Sequence, residues 1–164
     1  MLRLTLNALF LAATSSVALA QQPASAALEA VSRLYRDFAW EAEAQQSTRR
    51  ATSFIEQSKR ELERYLEPQL TDLLLADRAC VARTKQICRL DFAPLWSSQD
   101  PGATNLQVKQ GTRQGTVGVS FVYPGNGQRI RLQYEIAETA AGSRIFDIRY
   151  ESGSSLRSIL QRKP

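Results

Sequence analysis

The hydrophobic period of this chain changes once, near Asn105, and that change limits the fold more than any other feature. Before it, Leu28, Val31, Leu34, Tyr35 and Phe38 recur in steps of three and four and mark one helical face. After it, apolar and polar residues alternate. Leu106 and Val108 form one such run, and Val117, Val119, Phe121 and Tyr123 a second. Ile130, Leu132, Tyr134 and Ile136 form a third, and Phe146, Ile148 and Tyr150 a fourth. Gly111 to Gly115, Pro124 to Gly127 and Ala140 to Gly142 supply the turns between them. Turns this short join antiparallel neighbours. Helices followed by a four-strand meander make an α+β domain, with N-terminal helices packed on the apolar face of the sheet. Val119, Phe121, Leu132, Tyr134, Phe146 and Ile148 are the expected core of that face.

Local signals place the helices. Ser25 is an N-cap candidate for the first, which fades between Glu41 and Gln46. The polar run from Gln45 to Arg50 reads as a connection. Ser53 with Glu56, and Ser58 with Glu61, both match a capping box, and one of them starts a second helix carrying Leu62, Tyr65 and Leu66. Pro68 suits the first turn of a third helix, because it lacks a donor that would be unpaired there anyway. Its stripe is Leu70, Leu73 and Leu74, with Asp77 and Arg78 on its polar side. Residues 80–104 are the least regular stretch, and Phe92, Leu95 and Trp96 would pin it to the core. A short closing helix fits Leu156, Ile159 and Leu160, capped by Ser154 or Ser155.

The N-terminus reads as a secretory signal peptide over residues 1–20. Arg3 is followed by an apolar run and an Ala-x-Ala site ending at Ala20. That leaves residues 21–164 as a single domain, periplasmic or secreted. Position 21 is Gln rather than Cys, which closes the lipoprotein route. No second stretch has the length and apolarity of a membrane span. The net charge is +5, of which Arg3 supplies one. No basic stripe interleaved with aromatics appears, so nucleic acid is not an expected partner. The chain holds no histidine. This removes the commonest general base and zinc ligand, and no cofactor or metal site is expected. Gly-x-Ser-x-Gly is absent, and no glycine-rich loop leads into a helix with Lys-Ser/Thr. Cys80 and Cys88 are the only cysteines, and in an oxidising compartment they read as one disulfide.

Four segments, in this order, resemble a family of secreted bacterial proteins of undefined activity with the NTF2-like, cystatin-like cone fold. They are Leu66-Glu-Pro-Gln-Leu70, Asp91-Phe-Ala-Pro-Leu-Trp96, Ser98-Gln-Asp100, and Ile145 to Tyr150 with Gly153, Ser155 and Leu156. Ala93 stands where the family carries an acid, and Ser143 where it often carries Trp. The resemblance implies a curved sheet closed by helices into a cone and a short C-terminal helix; it implies no activity.

Two clusters are candidate sites on such a cone. Asp91, Trp96, Gln99 and Asp100 fall in the irregular loop, where they would meet a ligand or partner at the mouth, or simply cap turns. Asp147 and Arg149 share a strand face with Glu151. There they serve either a binding site with Arg129 and Arg131 or an ion-paired outer face that also includes Glu135. General acid/base work would need a shifted pKa and a second group in reach, and the sequence shows neither. The expected role is a secreted, non-enzymatic interaction protein that binds a protein or envelope partner, an immunity or inhibitor protein being one form. A small-ligand binder or His-free enzyme using the cone cavity is the alternative. Cavity volume and polarity separate the two.

Overall fold

The structure, a computed structural model, describes residues 25–43 and 52–163. The expected signal peptide and the 45–50 connection lie outside the described residues. Helix α1 (Ala26–Phe38) starts where Ser25 Oγ accepts from Leu28 N, and a 3-10 turn (Ala39–Ala42) continues it. Its buried stripe is Ala27, Ala30, Val31, Leu34, Tyr35 and Phe38.

The expected second helix is shorter than its apolar pattern suggested. Both serines act as caps, although only Ser53 and Glu56 complete the capping box, so neither segment extends into the other. Ser53 and Glu56 close a 3-10 turn (Phe54–Glu56), and Ser58 Oγ caps a single-turn helix α2 (Lys59–Leu62). Tyr65 and Leu66 lie beyond it, where the chain runs alongside the sheet edge. Helix α3 (Pro68–Thr84) begins at the expected proline, and Glu67 caps it through both carboxylate oxygens. It runs into the stretch expected to be irregular and carries Cys80. The Cys80–Cys88 disulfide clips the following turn back onto it, with Cα atoms 6.2 Å apart.

Strands β1 (Thr104–Gln110), β2 (Thr116–Val122), β3 (Arg129–Thr139) and β4 (Gly142–Tyr150) form one antiparallel sheet in that order. Two bulges curve it, one in β1 and one in β4. The second corrects an expectation. Glu135 pairs with Asp147, but Ile136 pairs with Ile145, so Phe146 is the extra residue. Ile145 and Ile148 therefore both face the core, while Phe146 turns outward and lies 4.1 Å from the Arg157 guanidinium. Val119, Phe121, Leu132, Tyr134 and Ile148 are buried as expected.

Helix α1 crosses the apolar face, touching β1, β2 and β4. The outer edge of β4 is covered: Ile145 N donates to Tyr65 O, and Glu67 N to Ile145 O. Helix α4 (Leu156–Leu160), capped by Ser155, buries Leu156, Ile159 and Leu160 in the same core. Strand β1 is the other edge of the sheet. No helix among the described residues is long and apolar enough to cross a membrane.

Candidate functional site

The space between helices and sheet is filled by aromatic side chains. Trp96 meets Tyr35 and Phe121 edge-on at 5.4 and 5.5 Å, and Tyr35 meets Tyr134 at 6.0 Å. The Tyr35 hydroxyl donates to Leu95 O at 2.8 Å, so its 2.8 Å bond to Tyr134 is donated by Tyr134. The Tyr150 hydroxyl donates to Pro94 O. Burial pushes the hydroxyls of Tyr35, Tyr134 and Tyr150 well above the ordinary phenol range. They stay protonated, and Tyr35 and Tyr150 tie the 90s loop to the core while Tyr134 donates to Tyr35.

One buried carboxylate joins that network. Glu41 Oε1 accepts from Phe54 N, and Oε2 accepts from Trp96 Nε1 at 2.9 Å. Burial raises its pKa, and the two donated hydrogen bonds oppose the rise. Glu41 also borders a cleft of about 440 Å3 beneath the loop, together with Trp40, Asp91 and Gln99.

A larger groove, of about 550 Å3, lies on the opposite, polar face of the sheet. Strand register explains its shape. One rung across the sheet reads Lys109, Gly118, Gln133 and Arg149, and the next reads Gln107, Ser120 and Arg131. Gly118 and Ser120 put small residues at the centre of both rungs, so longer side chains stand as walls around a low floor. Four strands at about 4.8 Å spacing make that floor roughly 14 Å across. Arg149 Nε pairs with Glu135 at 2.6 Å, and Arg131 Nη1 with Glu151 at 3.1 Å. Arg113 also pairs with Glu135, at 3.7 Å, and all three pairings leave their arginines more than half exposed. Pairs this exposed contribute at most about 1 kcal/mol each and exchange readily for another carboxylate. Lys109 makes no ion pair among the described residues.

The expected site residues divide. Arg131 and Arg149 line the groove. Asp91 and Gln99 come together beside the loop, in a crevice that shares Tyr150 and Ser154 with the groove. The 150–154 turn therefore joins the two candidate clusters. Arg129 is exposed at the start of β3, opposite Val122. Asp100 is exposed, and its turn is closed by Ser98 Oγ rather than by its own carboxylate. Two residues face elsewhere. Trp96 is 1% exposed, because its indole fills the core and its N–H needs Glu41. Asp147 is buried against α4, where Oδ1 accepts from Arg157 N and Ile148 N, both at 2.9 Å. It caps a helix and is no partner to Arg149.

Asp77 also departs from its expected place on a polar face. It is buried, accepts from Leu90 N and pairs with Arg89 at 3.5 Å, so it anchors the return from the disulfide loop. Its spacing from Leu70 and Leu74, seven and three residues, already placed it on the buried stripe. Glu41 carried no such signal, since its partners lie 13 and 55 residues away. Among the described residues no cluster of Cys, Asp and Glu side chains could hold a metal.

No family model matches the chain, and no curated protein matches it. A solved structure that does match is a phospholipid-binding protein from Ralstonia solanacearum, determined in complex with a phospholipid. The two are 15% identical over 81% of this chain and 68% of that one, with a TM-score of 0.32.

Proposed function

We propose that this chain is a secreted, non-enzymatic binding protein on an NTF2-like cone, and that it captures an extended anionic segment of an envelope protein in the polar groove of its sheet. The groove carries the reading: a floor of Gly118 and Ser120 between walls that include Lys109, Arg131 and Arg149. An extended chain fits a flat floor, and carboxylates on it would replace Glu135 and Glu151 as partners of the arginines. The filled interior supports a surface site over a cone-cavity site. The disulfide and the sequence features of residues 1–20 support an oxidising compartment. An immunity or inhibitor protein is the form this reading takes if the captured segment belongs to a toxin or enzyme.

The test fills the groove without disturbing the fold. A Cβ added at Gly118 would meet only Lys109 O, at 3.9 Å, so a side chain is accommodated there. Gly118→Phe should keep the wild-type melting temperature and lose capture of a protein partner from envelope extract. Arg131→Gln with Arg149→Gln should slow association and flatten its salt dependence. Undiminished capture by Gly118→Phe removes the groove from the account. Recovery of a small molecule and no protein supports the ligand-binding alternative.

A further inference from the structure

The last turn of α3 and the disulfide loop after it lie at the surface, and every residue from 81 to 87 is exposed. Two of them are branched aliphatics. Ile87 is 70% exposed and Val81 is 37% exposed. Phe146 is also exposed, but the Arg157 guanidinium covers its ring. Ile87 has no such cover. It stands on a short loop that cannot fold away, because Cys88 is bonded to Cys80, Arg89 is paired with Asp77, and Thr84 Oγ1 donates to Cys80 O.

The charges around it have one sign. Between Asp77 and Asp91 the sequence holds Arg78, Arg83, Lys85 and Arg89 and no acid. Arg89 Nε also donates to Arg162 O at 2.7 Å, which brings the exposed Arg162 and Lys163 alongside. Arg83 and Lys85 make no ion pair among the described residues. Cations at a helix C-terminus complement its dipole, which accounts for Arg83. It does not account for an exposed branched aliphatic at the tip, nor for Arg162 and Lys163 beside it.

An apolar tip ringed by cations matches a surface whose outer layer is anionic and whose next layer is hydrocarbon. We propose that this disulfide-clipped knuckle docks the protein on anionic lipid bilayers, with Ile87 entering the interface and Arg83, Lys85, Arg162 and Lys163 meeting the headgroups. The contact is peripheral. One aliphatic side chain and a few cations give reversible, salt-sensitive attachment. The knuckle is separate from the sheet groove, so one face can hold a partner while the other holds the membrane.

The experiment is co-sedimentation of the full oxidised domain with vesicles of mixed phosphatidylglycerol and phosphatidylcholine, and with vesicles of phosphatidylcholine alone. Wild type should bind the mixed vesicles at low salt and leave them at high salt. Arg83→Gln with Lys85→Gln should weaken binding about thirtyfold, which is about 1 kcal/mol of headgroup attraction for each of the two cations. Ile87→Ser should weaken it severalfold and leave the melting temperature unchanged, since the side chain is exposed. Ile87→Trp should show a blue-shifted emission on the mixed vesicles. Arg131→Gln with Arg149→Gln, in the groove, should bind as wild type does. Absence of wild-type binding overturns the proposal. So does binding that survives the knuckle substitutions, or that is lost only with the groove pair; absence of vesicle binding leaves capture of a protein by the groove untouched.

Discussion

The indole of Trp96 reaches Glu41 across 55 residues of chain, and this one hydrogen bond ties the irregular loop to the end of α1. Trp96→Phe would leave a buried carboxylate with Phe54 N as its remaining donor. We expect a loss of about 2–3 kcal/mol at neutral pH, measured by urea unfolding. The loss should depend on pH with a definite sign. Burial already raises the Glu41 pKa above its ordinary value of 4.5, so the folded state holds that proton more tightly than the unfolded one. Its favourable contribution is therefore full below the unfolded pKa and is lost as pH rises through the folded one. The indole N–H favours the ionised form, so removing it costs most at neutral pH and least below pH 4.5. Glu67 behaves oppositely. Burial raises its pKa, but donation from Gln69 N, Arg157 and Leu70 N outweighs that and leaves it lowered. Its stabilisation is present above the unfolded pKa and is lost as pH falls through the folded one. Glu67→Ala should remove the α3 cap and the 2.7 Å pair with Arg157 together, at about 2–4 kcal/mol near neutrality, with the difference from wild type shrinking in acid. Neither carboxylate was legible in the sequence. Glu67 precedes a proline and reads as a helix start, but its partner is 90 residues away, and a propensity argument sees only neighbours.

Strand β4 shows where pattern reading stops. Alternation located all four strands and their order, because period two survives along Val117 to Phe121 and Ile130 to Tyr134. It misplaced Phe146, because a bulge inserts one residue and reverses the faces upstream of it. Phe121→Ala should cost about 3–5 kcal/mol, since the ring is fully buried against Trp96. Phe146→Ala should cost no more than about 1 kcal/mol, the worth of its contact with Arg157. Similar costs for the two would put the bulge elsewhere. At the end of α3, Cys80 and Cys88 were legible as a pair, and the helix running through Cys80 was not. The local pattern loses its apolar stripe after Leu74 because Asp77 and Cys80 occupy the buried positions. Replacing both cysteines by serine should cost about 2–3 kcal/mol in the chain-entropy account of a short loop. It should also loosen the knuckle that carries Ile87, so vesicle binding should weaken even where the domain remains folded.

For the molecule as a whole, the question is whether it binds within its layers or on their outside. A cone that holds a ligand needs a hollow between helices and sheet, and here Tyr35, Trp96, Phe121 and Tyr134 occupy that space in mutual edge-to-face contact. Such pairs add about 0.5–1.5 kcal/mol each beyond the area they bury, so opening the interior is costly. The polar face has the reverse character: small residues at its centre, exposed arginines around it, and ion pairs weak enough to exchange. The sequence placed Tyr35, Phe121 and Tyr134 on core-facing positions and Trp96 in the loop that covers the core. It did not show whether they meet one another or surround a void, because that depends on layer separation and rotamers rather than on order along the chain. The distinction can be measured with a ligand that fits a dry aromatic-lined hole. Wild type should show no rise in melting temperature with saturating benzene, because the rings of Tyr35, Trp96, Phe121 and Tyr134 already fill the interior between helices and sheet. Phe121→Ala removes one ring from the centre of the cluster and should gain a benzene-dependent rise, recovering part of its lost stability. A wild-type response equal to the variant's would mean that the interior already holds a hollow, and the ligand-binding alternative would then replace the surface groove as the basis of function.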